Sequence, residues 1–141
     1  HTFAHVPSEG IKVLQETYAH PSIEGMRRLV NVMLYDGSTI SDSLLQERYE
    51  SLISNPAHTE ARRQSDNTPR DLWAELTDAP SKIPSLIIHG RDDRINPLET
   101  SLRLLTILDN SWMVIFNKCG HWAQFEHADR FNRILLEFLA E

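Results

Sequence analysis

The sequence predicts an α/β protein in which parallel strands carry covering helices and a long helical region precedes them. Three observations carry that prediction. Two short apolar runs, 84–90 and 112–116, have the composition of strands buried on both faces, and the first opens at a proline and closes at a glycine. Each run is followed by a stretch whose apolar residues recur at helical spacing, and a strand–helix–strand–helix order with short connections makes the strands parallel. Before residue 78 the apolar spacing is helical throughout.

Taken in order, Ser8 is placed to cap a first helix with Ile11, Leu14 and Tyr18 on one stripe. His20-Pro21 ends it, since a residue before proline avoids the helical region. Ser22 caps a second helix carrying Ile23, Met26, Leu29, Val30 and Met33, which Asp36-Gly37 closes. Ser41 or Asp42 starts a third, with Leu45, Tyr49, Leu52 and Ile53 inward, and Asn55-Pro56 ends it. A fourth helical stretch is expected from about Thr59 to Asn67, then a break at Thr68-Pro69 and a short helix through Trp73 and Leu76. These amphipathic helices need a surface to lie against. In the second half a strand through Leu86-Ile87-Ile88 leads to a helix over 98–108. The strand Trp112–Phe116 leads to a helix over 128–140, with Phe131, Ile134, Leu135, Phe138 and Leu139 expected to face inward.

Composition narrows the function classes. The 141 residues suit one domain with a modest core. Asp and Glu number 20 against 14 Lys and Arg, a net charge of −6, which argues against a nucleic-acid-coating protein. No apolar run approaches the roughly 18 residues of a spanning helix, so no membrane partner is expected. The one cysteine, Cys119, excludes an intramolecular disulfide and a cysteine-rich zinc site and fits a reducing compartment. No signal-peptide pattern opens the chain, and a cytoplasmic location is expected. Two parallel strands are too few for a stable sheet, and the chain opens on His1. The sequence therefore reads as the end of a larger α/β domain.

Functional residues of open parallel sheets sit just beyond the carboxyl ends of the strands. Two segments fall there: Gly90-Arg91-Asp92-Asp93-Arg94-Ile95-Asn96-Pro97, and Cys119-Gly120-His121-Trp122. One supplies a carboxylate and the other an imidazole, and adjacent parallel strands would bring them together. A carboxylate that orients a histidine, which in turn activates a nucleophile, is the logic of hydrolytic triads. On spacing alone this reading weighs evenly against a capping or turn-forming Asp and a surface His.

The runs Gly90-Arg91-Asp92-Asp93-Arg94, Pro97-Leu98, Lys118-Cys119-Gly120-His121-Trp122, Glu126-His127-Ala128-Asp129, Phe131-Asn132 and Phe138-Leu139 resemble the α/β-hydrolases, and within them the meta-cleavage product hydrolases. Glu9-Gly10-Ile11-Lys12, Leu34-Tyr35-Asp36 and Leu44-Leu45-Gln46-Glu47-Arg48 are similar to that subfamily's helical lid. The resemblance implies the C-terminal part of an α/β-hydrolase fold preceded by a lid, with residues 1–7 a lead-in, 8–77 the lid and 78–141 the core. It implies a hydrolase that cuts the C–C bond of 2-hydroxy-6-oxo-hexa-2,4-dienoates in bacterial breakdown of aromatic compounds such as biphenyl. The dienol would first be ketonised and its C5–C6 bond then hydrolysed. Asp93 matches the triad acid and His121 the base. Arg48 matches a lid arginine for the substrate's carboxylate and enol oxygen, Trp122 a pocket residue beside the base, and Met33 a pocket-lining lid position. Asp92 is expected to bond local backbone donors in its turn or a neighbouring basic side chain. Without the resemblance Arg48 would read as solvated helix surface, and Trp112 and Trp73 read as core. The resemblance implies no metal or organic cofactor, a small-molecule dienoate as partner and a homo-oligomer.

One part of the pattern does not occur. The family nucleophile is the Ser of Gly-x-Ser-x-Gly, but no two of Gly10, Gly25, Gly37, Gly90 and Gly120 lie four apart, so none of the twelve serines occupies such an elbow. The oxyanion-hole segment does not occur either. The acid, base and lid are thus expected to act with a missing N-terminal half. An esterase or dehalogenase of the same fold, and a non-catalytic truncated interaction module, are the alternative readings.

Overall fold

The structure is a computed structural model and describes residues 8–57, 60–61 and 83–140. The expected lead-in, the helix through Trp73 and the boundary near residue 77 lie outside the described residues, as does most of the fourth helical stretch.

The first half is built of α1 (Glu9–Ala19), α2 (Ile23–Met33), a 3-10 turn (Gly37–Thr39) and α3 (Asp42–Ser54). Serines cap all three α-helices: Ser8 accepts from the N–H of Ile11, Ser22 from Gly25 and Ser41 from Leu44. Helix α2 ends at Met33 rather than at Asp36-Gly37. Leu34 turns extended, and the Asp36 carboxylate instead accepts from the N–H of Ser38 to start the 3-10 turn. Met26, Leu29, Val30, Val32, Leu34, Leu45 and Leu52 are buried together, with Ile95 from the second half inserted among them. Burial of each such side chain contributes about 1.5–3 kcal/mol, so the helices find in one another, and in Ile95, the surface that their apolar stripes require. Ile53 is the exception on α3, remaining half exposed.

The second half runs β1 (Ser85–Gly90), α4 (Leu98–Ile107), β2 (Ser111–Phe116), α5 (Ala123–Glu126) and α6 (Ala128–Leu139). β1 and β2 pair in parallel, in register from Ser85 opposite Ser111 to Gly90 opposite Phe116. Both carboxyl ends therefore emerge at one edge. Phe116, Cys119 and Ala123 form the local core, with Ile88, Val114, Phe131 and Ile134 packed on it.

Two expectations are corrected. Only His89 and Gly90 of β1 are fully buried and the rest of the strand is partly buried, because among the described residues the sheet has two strands. On α6 no residue is fully buried, and Leu139 is 69% exposed: Phe131 and Ile134 reach the core and Phe138 meets Trp112 edge-on, but the helix has no second layer to close over its far end. Trp112 itself is half exposed. No described helix is long and apolar enough to cross a membrane.

The loops that leave the two strands pack main chain on main chain. Arg91 N–H donates to Phe116 O at 2.8 Å and Asp92 N–H to Cys119 O at 2.8 Å. A Cβ on Gly90 would meet the carbonyls of Gly120 and Cys119, and one on Gly120 would lie 2.5 Å from Met33 O and 2.8 Å from Leu34 C. Glycine at both positions is what allows the loops to close on each other and on the end of α2.

Candidate active site

Asp93 stands at the carboxyl end of β1, and its side chain is 5% exposed. Its Oδ1 accepts two backbone N–H groups of its own turn, Ile95 at 2.7 Å and Asn96 at 3.0 Å. That fixes the carboxylate plane and presents Oδ2 to the neighbouring loop. There His121 Nδ1 lies 2.9 Å from Oδ2. Burial pulls the Asp93 carboxyl upward, but the hydrogen bonds from His121, Asn96 and Ile95 and the attraction of the imidazole outweigh it and hold its pKa below the usual carboxylate range. An ionised Asp93 calls for a proton on Nδ1, which leaves the His121 Nε2 lone pair to act as base.

The base loop is fixed as firmly as the acid. Lys118 takes a left-handed conformation (φ 51°) that turns the chain back after β2, and the His121 backbone N–H donates to Met33 O at 2.6 Å. Asp92 makes no hydrogen bond to His121. Its Oδ2 makes a long contact of 3.4 Å with the N–H of Cys119, a backbone donor on the facing loop rather than in its own turn. Adjacent aspartates thus separate into one that meets the imidazole and one that faces the Cys119 amide.

Two cavities adjoin this pair. One, of about 360 Å³, is lined by Asp93, His121, His89, Ser101 and Phe131. The other, of about 610 Å³, opens between α2, α3 and the base loop and brings together Arg48, Met33 and Trp122, with Leu29, Leu45 and Phe125 among its apolar walls. Arg48 is the one cation among its described lining residues, and it has no ion-pair partner among the described residues. His121 lines the smaller cavity rather than the one beneath Arg48, and Gln124 borders both.

Sequence reasoning passed over several residues here. His89 is buried, with Nδ1 2.8 Å from Ser101 Oγ and Nε2 3.1 Å from Asn96 O, so Nε2–H donates to the carbonyl and Nδ1 accepts from the hydroxyl. It braces the Asp93 turn against α4, and a polar residue closing an apolar strand was the available signal. Arg94 Nη2 donates to Leu34 O at 3.0 Å and to Asn31 O, which ties the end of α2 to the acid loop. Ser8 Oγ donates to Ile95 O at 2.6 Å and Gly10 N–H to Arg94 O at 3.0 Å, which ties down the start of α1 in the same way. These bonds span 60 or more residues, and helical periodicity carries no trace of them.

A carboxylate-held imidazole where two parallel strands end, beneath a helical cover, defines a class of hydrolase-like α/β proteins. The chain belongs to the alpha/beta hydrolase fold family, whose pattern it matches over residues 13–128. It is 42% identical over 145 aligned positions to the 2-hydroxy-6-oxononadienedioate/2-hydroxy-6-oxononatrienedioate hydrolase of Cupriavidus pinatubonensis. That match takes in 97% of this chain and 48% of the relative. Among solved structures it superposes on the meta-cleavage product hydrolase CumD of Pseudomonas fluorescens IP01 with a TM-score of 0.80 at 36% identity. It superposes on the 2-hydroxy-6-oxo-6-phenylhexa-2,4-dienoate hydrolase BphD of Rhodococcus sp. strain RHA1 with a TM-score of 0.82 at 27% identity. Each superposition covers 99% of this chain and 52% of the other. The chain thus spans about half the length of the relatives it matches.

Proposed function

We propose that this chain provides the acid, the base and the lid of a serine-dependent hydrolase that cleaves the C–C bond of 2-hydroxy-6-oxo-hexa-2,4-dienoates, products of aromatic ring cleavage. In this reading the rest of the protein brings the nucleophilic serine and the oxyanion donors. His121 Nε2 takes the serine proton and Asp93 holds the imidazole in the required tautomer and stabilises its charged form. The serine attacks the C6 ketone of the ketonised substrate; the C5–C6 bond breaks as His121 passes the proton to C5, releasing the 2-hydroxydienoate, and water then hydrolyses the acyl-serine to the carboxylic acid. Arg48 pairs through its planar fork with the substrate's carboxylate and enol oxygen, while Met33 and Trp122 line the remainder of the cavity. Residues 8–77 act as the lid and 78–141 as the end of the core, in a cytoplasmic homo-oligomer.

The observation that carries this reading is the apolar cavity with Arg48 as its one described cation, set beside the Asp93–His121 pair. A carboxylate-bearing, otherwise apolar substrate suits it. The relatives' names share the 2-hydroxy-6-oxo-dienoate unit and differ in the group beyond it, a second carboxylate in one and a phenyl ring in another. The test is Arg48→Ala in the full-length protein. Loss of a charge-assisted bond of about 1.5–3 kcal/mol lowers kcat/KM on a dienoate by about 10–10²-fold. Arg48→Lys recovers only part, because a point charge does not replace a fork. Unchanged kinetics in Arg48→Ala would reject the assignment and leave Arg48 as helix surface.

A further inference from the structure

We propose that Glu126 is a positioning residue that couples the helical cover to the base, so that the seating of α2 sets the placement of His121. Glu126 closes α5, five residues beyond His121, and its two carboxylate oxygens serve different parts of the chain. Oε1 accepts the N–H of Gly120 at 2.7 Å, and Oε2 accepts the N–H of Tyr35 at 2.6 Å. Gly120 immediately precedes the base, and Tyr35 lies two residues beyond Met33. The His121 N–H donates in turn to Met33 O, so residues 33–35 and 120–121 are joined by one main-chain bond as well as by one shared carboxylate.

The polarity of the arrangement is specific. From the acid loop, Arg94 takes the carbonyls of Asn31 and Leu34; from the base loop, Glu126 takes the amide of Tyr35. A cation on the acceptors and an anion on a donor thus hold the last turn of α2 and the residues just beyond it. The carboxylate offers a separate acceptor oxygen to each N–H group, Oε1 to Gly120 and Oε2 to Tyr35. A glutamine presents one oxygen and turns its NH₂ toward the other donor. Gly120 packs so closely on Met33 and Leu34 that no slack separates the two segments. Met33 lines the larger cavity, so whatever fills that cavity bears on the segment that Glu126 and the His121 amide fix.

The activity arm of the test rests on the reading under Proposed function; the exchange arm does not. In the full-length protein, Glu126→Gln is compared with wild type at a temperature where circular dichroism shows both folded. Amide hydrogen exchange at Tyr35 and Gly120 is expected to quicken at least about tenfold in the variant, while β2 amides keep their protection. On a dienoate, kcat is expected to fall at least about tenfold with KM within about threefold, because placement of the base is altered and not the binding of substrate. A merely structural glutamate would lower the melting temperature and leave kcat of the folded enzyme unchanged, and that result overturns the proposal. Unchanged exchange at both amides overturns it as well. If wild type fails to turn over any dienoate, the substrate reading falls, and the exchange measurement alone then decides the coupling through Glu126.

Discussion

Replacing Asp93 by Asn tests the acid–base pair most directly, because the structure dictates which way the new amide turns. Oδ1 of Asp93 accepts from Ile95 N–H at 2.7 Å and Asn96 N–H at 3.0 Å, while Oδ2 receives His121 Nδ1 at 2.9 Å. An asparagine keeps its oxygen toward the two backbone donors, so its NH₂ faces the imidazole. Nδ1 must then accept, the ring proton moves to Nε2, and Nε2 can no longer take a proton from a nucleophile. To regain the active tautomer the amide must flip and leave both backbone N–H groups facing its NH₂, at about 2 kcal/mol each. Loss of the anion that stabilises the imidazolium adds about 2 kcal/mol more. The total of about 6 kcal/mol corresponds to a fall in kcat of about 10⁴-fold. The assay follows the loss of the dienoate's visible absorbance by the full-length protein at saturating substrate, with Asp92→Asn alongside. Asp92 gives up only a contact of 3.4 Å to Cys119 N–H, so its variant should stay within about threefold of wild type. A fall of less than about tenfold for Asp93→Asn, or a larger one for Asp92→Asn, would refute the reasoning.

Other expectations follow from the same geometry. The depressed Asp93 pKa contributes stability that is fully present above its unfolded value of about 3.8 and is lost as pH falls through the lower folded value. Urea titrations should therefore show the stability gap between wild type and Asp93→Asn narrowing on acidification below pH 4, and a gap that widens there would contradict the sign. Gly120→Ala would place a Cβ 2.5 Å from Met33 O and 2.8 Å from Leu34 C, both main-chain atoms. It should lower stability by about 1–3 kcal/mol, and an unshifted urea midpoint would show that the loop does not press on the end of α2. Burial, and then the nearby Glu126 carboxylate, push the Cys119 thiol up to about 12. Alkylation at pH 8 should thus run at least about 10³-fold slower than on an unfolded control, and labelling at the control's rate would show an open site. Residues 1–141 purified alone should not turn over dienoates, since they have no Gly-x-Ser-x-Gly elbow and loss of one oxyanion donor by itself typically lowers rate by about 10²–10³-fold. Turnover abolished by His121→Ala would reveal a nucleophile within the chain.

Local physics was legible in the residues themselves. Ser8, Ser22 and Ser41 cap helices because a hydroxyl followed by a periodic apolar stripe meets orphan backbone donors wherever the chain is then placed. The two apolar runs pair in parallel because the helical stretch between them leaves no other short route back. That order also set Gly90-Arg91-Asp92-Asp93 and Cys119-Gly120-His121 side by side. The short α5 and the 3-10 turn at Gly37 escaped notice, being too brief to show a period.

What only the tertiary structure decided is which of these groups meet, and in what state. The choice between Asp92 and Asp93 depends on which carboxylate the Ile95 and Asn96 amides hold toward the neighbouring loop. Arg48, Met33 and Trp122, spread over 90 residues, share a cavity because α2 and α3 settle against the base loop. Glu126 and Arg94 acquire their partners only when the end of α2 is laid against the acid and base loops. Helical and strand periods, caps and turns arise from neighbours a few residues apart and are written in order along the chain. A hydrogen bond between Tyr35 and Glu126, 91 residues apart, exists only once packing has brought their segments together.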